Sequence, residues 1–249
     1  MLSSAYSSEL PRYGLKVGLK NYGAAYATGL LVARRTLTKL GMAEQYPGND
    51  AAGCVVVKTT HTNAASATRE YWVKEVAEDR KPFRCVLDVG IAATTTGARV
   101  FGVLKGAADG GLDIPHNEKR FPGYNRDEKK YKPETHRERI FGNHVGSYME
   151  EVQEEDPDAY AKHFSQYIKH EVEPDSMEEL FKSVHEAIRA DPSPAAKKPF
   201  TPDNKFAKAK KLTLEQRRER VAAKKAARLQ ELVEQRAGAG AGGDDEDDE

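Results

Sequence analysis

The chain has 249 residues, enough for one core domain with extensions or for two small domains. It is 39% hydrophobic and 31% charged, and no run of 18 or more apolar residues occurs, which excludes an apolar membrane-spanning helix. Its net charge of zero hides opposed blocks: residues 1–133 carry 20 Lys and Arg against 13 Asp and Glu (+7), residues 134–191 carry 6 against 15 (−9), residues 192–236 carry 13 against 5 (+8), and 237–249 carries six acids and no base (−6). Two basic surfaces separated by an acidic module predict a polyanion partner gripped in two places.

In chain order, the first fourteen residues have no basic start followed by an apolar stretch, so they do not read as a signal peptide. Residues 3–6 read as the end of a strand, and Glu9-Leu10-Pro11 as its exit turn. Residues 22–40 give the strongest helix, with Asn21 placed to cap its start and Gly41 to end it. Tyr22 and Tyr26 fall on one side of it and read as core packing rather than base stacking. Arg34, Arg35 and Lys39 suit either the helix dipole or a phosphate. Residues 54–58 and 70–75 resemble two strands of a hairpin, with Trp72 in or beside the core. Cys54 and Cys85 read as reduced, small apolar side chains.

Residues 84–124 read as the scaffold of the chain. The alternation over 85–89 predicts a strand, residues 94–97 a polar hinge, 99–103 a second short strand, and 105–111 a helical turn stopped by Gly110-Gly111. An exposed loop, 116–124, then presents Lys119, Arg120, Phe121 and Tyr124, stiffened by Pro115 and Pro122. Three enzyme motifs fail on this stretch. Thr94-Thr95-Thr96-Gly97 lacks the Lys of a phosphate-binding loop. Asp109, Gly110, Gly111 and Asp113 lack the remaining ligands of a calcium loop. His116 near Asp109 and Asp113 has no nucleophile beside it. A basic, aromatic loop suits RNA, which is recognised by shape, by backbone contacts and by stacked bases.

Residues 134–191 predict three helices, about 134–151, 156–170 and 175–189, as an acidic subdomain with its own small core. Residues 192–211 are a Pro- and Lys-rich linker. Residues 212–236 predict a strongly basic helix with a Thr213–Gln216 capping box. The tail GAGAGGDDEDDE is expected to lack fixed structure.

Several stretches are familiar together: ELPRYGLKVGLKNYGAAYATGLLVARR (9–35), LDVGIAATTTGARVFGVLKGAADGGLDIPHNEKRFPGY (87–124), AYAKHFSQYIK (159–169) and the basic run RRERVAAKKAARL (217–229). They closely resemble the eukaryotic 5S rRNA-binding proteins of the large ribosomal subunit, counterparts of protein eighteen of the bacterial subunit. The resemblance implies a place in the central protuberance, association with 5S rRNA, large-subunit rRNA and a companion 5S-associated ribosomal protein, nucleolar assembly aided by assembly factors, and no enzymatic activity or cofactor. Measured against that family, the chain looks shortened at its N-terminus, where the family carries a basic arm and several strands. Residues 43–83 differ from the usual text, and the acidic tail 244–249 is an addition.

The expected fold is therefore α/β: an incomplete mixed sheet covered by helices (1–133), an acidic helical subdomain (134–191), and a basic extension with a helix and tail (192–249). The expected RNA contacts are Arg12, Lys16 and Lys20, then Arg99 and Lys105, then Lys119, Arg120, Phe121 and Tyr124. Lys208, Lys210, Lys211, Arg217, Arg218, Lys224 and Lys225 are expected to make a second grip. The competing reading is a protein-interaction factor in ribosome assembly that acts through the acidic helices. Neither reading involves a membrane.

Overall fold

Helix α1, Tyr22–Leu40, forms where the sequence places it. The Asn21 side chain accepts from the Ala24 N–H at 2.8 Å, and Gly41, at φ 67°, lets its own N–H reach back to the carbonyls of Leu37 and Thr38. The computed structural model describes residues 1–49, 55–62, 66–196 and 208–239, in two compact units, Met1–Ala195 and Ala196–Glu249. Within the first unit α1 is the common wall of two cores. Its N-terminal half, Tyr22 to Leu31, packs with Leu10, Leu15, Ile140, Phe141, Phe181 and Val184. Its later residues Ala33 and Leu37 pack with Met42, Tyr46, Phe101, Leu104, Ile114 and Phe121. The organising element is thus α1 and not the 84–124 stretch, which contributes only to the second core.

The expected strand over 99–103 is instead the first half of a helix, α2, Arg99–Asp109, whose Phe101, Leu104, Ala107 and Ala108 are buried at helical spacing. Gly102, Gly106 and Gly110 recur every four residues and line the face of α2 that meets α1. A Cβ on Gly106 would collide with the Tyr26 carbonyl, and one on Gly29 of α1 with the Val103 carbonyl, so the two backbones lie in direct contact. β-Branched and glycine residues that look unhelical in sequence are tolerated here because tertiary packing outweighs local propensity.

Sheet structure is sparse. Strand β1, Thr59–Thr62, pairs antiparallel with β2, Thr68–Tyr71, with Thr59 opposite Tyr71. Strand β3, Tyr124–Asn125, pairs antiparallel with β4, Lys130–Tyr131. The first hairpin was expected over 54–58 and 70–75. It begins later, and Cys54 lies outside the described residues. The expected strand 85–89 is not formed: a single parallel bridge joins Arg84 to Asp113, and beyond it the alternation survives only as alternating exposure, with Val86 86% exposed. A strand needs a neighbour to take up its N–H and C=O groups, and residues 86–89 have none among the described residues. The expected strand at 3–6 is likewise absent, and a 3-10 helix, Ser7–Tyr13, follows it. The first unit is therefore helix-rich with two small antiparallel sheets, compatible with an α/β class, and the mixed sheet is not present among the described residues.

The predicted helix 134–151 divides into α3, Pro133–Phe141, and α4, Asn143–Glu155, at Gly142, whose φ of 77° no right-handed helix accommodates. The predicted 156–170 divides at Phe164 into α5, Pro157–His163, and α6, Ser165–Lys169. Helix α7, Met177–Ala190, follows a one-turn 3-10 segment at Pro174–Ser176. Residues 134–191 do not keep a core to themselves: Met177, Phe181, Val184 and Ile188 of α7 are buried against α1 and Leu10. In the second unit α8, Leu214–Ala239, is exposed along its length up to Arg236 and opens with the expected capping box, Thr213 N–H to Gln216 Oε1 at 3.1 Å and Gln216 N–H to Thr213 Oγ1 at 3.4 Å.

Candidate nucleic-acid interface

The basic loop is built outward from a buried ring cluster. Phe121, 1% exposed, stacks on His136 at 4.7 Å between centroids. The two ring nitrogens of His136 meet Tyr22 Oη at 2.8 Å (Nε2) and Tyr131 Oη at 2.6 Å (Nδ1). Those bonds tie α1, β4 and α3 together beneath the surface. A neutral imidazole offers one donor and one acceptor, which matches one accepting and one donating hydroxyl. Burial, with a smaller push from Lys105, lowers the His136 pKa to about 3, so the ring stays neutral.

On this base the chain displays its cations. Asn117 Oδ1 accepts from the Lys119 N–H at 2.9 Å, which starts the 3-10 turn Glu118–Arg120 and leaves Lys119 and Arg120 exposed. The carbonyl of Arg120 accepts from the Gly97 N–H at 2.9 Å, bringing the 94–97 turn against the loop. Two residues on, Arg99 opens α2 and donates through Nη1 to the Lys20 carbonyl at 2.8 Å. The Arg99 side chain on the Lys20 carbonyl and the Gly97 N–H on the Arg120 carbonyl therefore draw Lys20, Arg99, Lys119 and Arg120 into one exposed basic stretch, with the N-terminal end of the α2 dipole among them. Lys16 is exposed on the loop that carries Lys20, and Tyr124 is half-buried beside Arg120.

Of the expected contacts, Lys105 and Phe121 are buried and Arg12 is already paired within the fold. Lys105 is 1% exposed, and its Nζ lies 2.6 Å from Asp109 Oδ1, while Tyr26 donates to the other carboxylate oxygen at 2.8 Å. The apolar face of α2 that carries Leu104 also carries Lys105 inward, and a charge so placed needs its partner. Phe121 is core, as described. Arg12 is partly exposed but occupied, held by Asp191 at 2.9 Å and by the Ser193 carbonyl. Arg34 and Arg35 are structural too. Arg34 donates to the Tyr46 and Ala43 carbonyls, and Arg35, buried, pairs with Glu9 at 2.7 Å and donates to the Ser4 carbonyl. That ion pair lowers the Glu9 pKa, the hydrogen bond from Arg35 being the largest cause.

The groups that suggested enzyme motifs are likewise used internally. Asp113 accepts from the Trp72 N–H at 2.7 Å. His116 contacts the Ile114 carbonyl through Nδ1 at 2.6 Å and stacks on Trp72. Among the described residues no group of three or more His, Cys, Asp and Glu side chains could hold a metal ion, and no helix is long and apolar enough to cross a membrane.

The structure also adds cations that the sequence reading passed over. Arg126, Lys129 and Lys130 are exposed on the β3–β4 hairpin, whose turn uses Asp127 N–H to Asn125 Oδ1 at 3.0 Å and a left-handed Lys129 at φ 52°. Two short strands too small for any periodicity signal form this hairpin, yet the run NRDEKK was itself a turn and charge signal. In the second unit Lys208, Lys210 and Lys211 precede α8, and Arg217, Arg218, Lys224 and Lys225 lie exposed on it.

Comparison with known proteins gives the family. Residues 1–117 match the family model described as ribosomal large subunit proteins 60S L5 and 50S L18, and residues 177–230 match that of the ribosomal L18 C-terminal region. The large ribosomal subunit protein uL18 of Styela clava is 51% identical over 231 residues, spanning 92% of this chain and 73% of that protein. The protein uL18y of Oryza sativa subsp. japonica is 51% identical over 221 residues, 88% of this chain and 67% of its own length. The protein uL18 of Drosophila melanogaster is 49% identical over 234 residues, 93% and 74%. Matches of this identity over nine-tenths of the chain leave one conclusion: the chain belongs to the family of ribosomal large subunit proteins 60S L5 and 50S L18.

Proposed function

We propose that the chain is a structural constituent of the large ribosomal subunit that binds 5S rRNA and takes part in assembling the 5S ribonucleoprotein and the subunit. Membership of a family of ribosomal components makes it a structural protein rather than an enzyme, and a ribosomal, cytoplasmic location follows from the same membership. The observation that carries the RNA reading is the linkage of Lys20, Arg99, Lys119 and Arg120 into one exposed stretch, flanked by Lys16, Tyr124 and the hairpin cations. A backbone already held in place loses little entropy when its cations meet phosphates. Residues 208–228 supply a second basic element. Lys105, Phe121 and Arg12 are left out of the contact set and act by holding the surface in shape.

Large-subunit rRNA, a companion 5S-associated ribosomal protein and assembly factors are the further partners, with a nuclear and nucleolar assembly stage. Glu150, Glu151, Glu154, Glu155 and Asp158 are exposed on α4 and α5, a face that repels RNA and suits a basic protein surface.

The test is a titration of 5S rRNA at several salt concentrations with the full chain and with Lys119→Ala/Arg120→Ala. Two lost phosphate contacts reduce the log–log salt slope by roughly 1.5, at about 0.7–0.9 per contact. An unchanged affinity and slope would remove this loop from the interface.

A further inference from the structure

A groove of about 280 Å³ lies between α4, the α5–α6 pair and the 3-10 segment Pro174–Ser176. Backbone fixes one wall: a Cβ on Gly146 of α4 would stand 2.8 Å from the Pro174 carbonyl oxygen. Tyr160, Ile168, Val172 and Pro174 give the groove apolar surface. A single exposed isoleucine carries no message. Ile168, however, is 48% exposed inside a concave site, beside a tyrosine whose ring meets the buried Phe164 at 5.4 Å between centroids. Phe164 also meets the exposed Tyr148 of α4 at 6.0 Å.

The rim is acidic. Glu171, Glu173 and Asp175 line the groove, no basic side chain does, and none of the three forms an ion pair among the described residues. Glu171 stands where its residue type is uncommon. Its N–H reaches the Ile168 carbonyl at 3.1 Å, and the Val172 N–H reaches the Tyr167 carbonyl at 3.0 Å, the two bonds that close a helix through a left-handed residue. That residue is usually glycine, whereas here Glu171 adopts φ 55° and brings a carboxylate to the groove. Val172 packs on the first core, so the turn is anchored.

An arginine side chain matches this arrangement. Its stem lies on apolar surface, its planar head stacks on a tyrosine ring, and its fork of N–H donors pairs with carboxylates. Lysine offers the charge without the fork or the stacking plane. Carboxylates on the rim repel a nucleic acid. We infer that the groove between α4, α6 and Pro174 docks an arginine-bearing segment of a basic protein partner, with apolar residues of that segment on Ile168. This deepens the reading of the α4–α5 face as one for a basic protein and rests on it for the class of partner. It is independent of the RNA reading.

The test uses the full chain and a short labelled peptide of alternating arginine and leucine. Analogues replace arginine by lysine or by neutral citrulline, or leucine by serine. Anisotropy gives the affinity, and the Ile168 methyl resonances report occupancy of the groove. Glu171→Gly and Ile168→Ser alter the groove, and Glu151→Gln/Glu155→Gln alters the α4 face beyond it. Glu171→Gly puts glycine where the turn favours it. Its urea midpoint is expected to equal or exceed that of the unaltered chain, while its affinity for the arginine–leucine peptide falls several-fold. Ile168→Ser is expected to lose a similar factor, and the α4 variant to lose less than either. The lysine and serine analogues are expected to bind more weakly and the citrulline analogue not at all, with 5S rRNA affinity constant in both groove variants. Unmoved Ile168 methyl resonances, or groove variants that bind the peptide as the unaltered chain does, would overturn the groove. If the α4 variant alone then weakens, the broader acidic face remains the protein contact. A groove variant that loses 5S rRNA affinity would overturn it as well. Peptide binding as expected in a chain that fails to bind 5S rRNA would leave the groove standing and end the RNA reading.

Discussion

At the scale of single residues, chemical type is a poor guide to use, because burial decides what a charge or a ring does. Lys105 and Lys119 are both cations of the same stretch, yet one is enclosed beside Asp109 and Tyr26 and the other stands in solvent. Replacing Lys105 by Ala leaves the Asp109 carboxylate buried without its cation, which costs about 3–5 kcal/mol. Phe121→Ala removes the ring against His136 and costs a similar amount, about 3–5 kcal/mol. Urea unfolding midpoints are expected to fall sharply for both. A Lys105→Ala chain with wild-type stability and a shallower RNA salt slope would instead return that lysine to the interface. Lys119 and Arg120 read correctly as exposed because Asn117 and two prolines mark a turn, a local signal. Lys105 read wrongly because nothing adjacent in sequence announces that its side of α2 faces inward.

Among elements, the packing of α1 on α2 sets the geometry on which the basic loop is mounted. The Gly102, Gly106 and Gly110 stripe of α2 meets Tyr22, Tyr26 and Ala33 of α1, so the helices are spaced by backbone rather than by side chains. Gly106→Ala tests this. In an isolated helix Ala is favoured over Gly by about 1 kcal/mol. Here the added methyl group has to push against the Tyr26 carbonyl, and the net effect is a destabilisation of about 1–3 kcal/mol, as for other overpacked sites. A lower urea midpoint with an unchanged m-value is the expected outcome. A gain in stability would mean that the two helices have slack between them. The four-residue recurrence of glycine was present in the sequence as a signal for close helix packing. It was masked by Val100 and Val103, whose β-branching favours a strand reading.

For the whole molecule, two cores meeting on one helix make the first unit sensitive to protonation of its buried histidines. His136 and His185, pushed by burial to pKa values of about 3 and about 4, are neutral when folded and take up protons near their ordinary value of 6.5 when unfolded. The unfolded state then binds more protons, so this stability is complete above about pH 6.5 and is lost as pH falls, by up to about 1.4 kcal/mol per pH unit for each ring. Glu178 adds to the loss only further down, because its pKa is lowered from 4.5 to about 2, chiefly by its hydrogen bond from Lys182, then by Asn143 and Arg137. Between pH 6.5 and 4.5 the histidines dominate. The urea midpoint of the full chain is expected to fall steadily from pH 7 to pH 5. A flat midpoint across that range would mean that both rings accept protons without disturbing the fold.

The sequence by itself determined the features written in neighbouring residues. These are the Asn21 and Gly41 ends of α1, the Thr213–Gln216 start of α8, the apolar stripe of α7, the opposed charge blocks and the strings that carry the family resemblance. Caps and stripes act over three or four residues, so a linear reading captures them. The tertiary structure alone decided which cations are engaged within the fold. Arg12 meets Asp191, and Arg35 meets Glu9 and Ser4, through contacts that span up to 179 residues of chain. It also decided that 86–89 has no strand neighbour among the described residues and that α7 completes the core of α1. A strand exists only through a neighbour and a core residue only through what covers it, and neither partner lies within reach of local pattern.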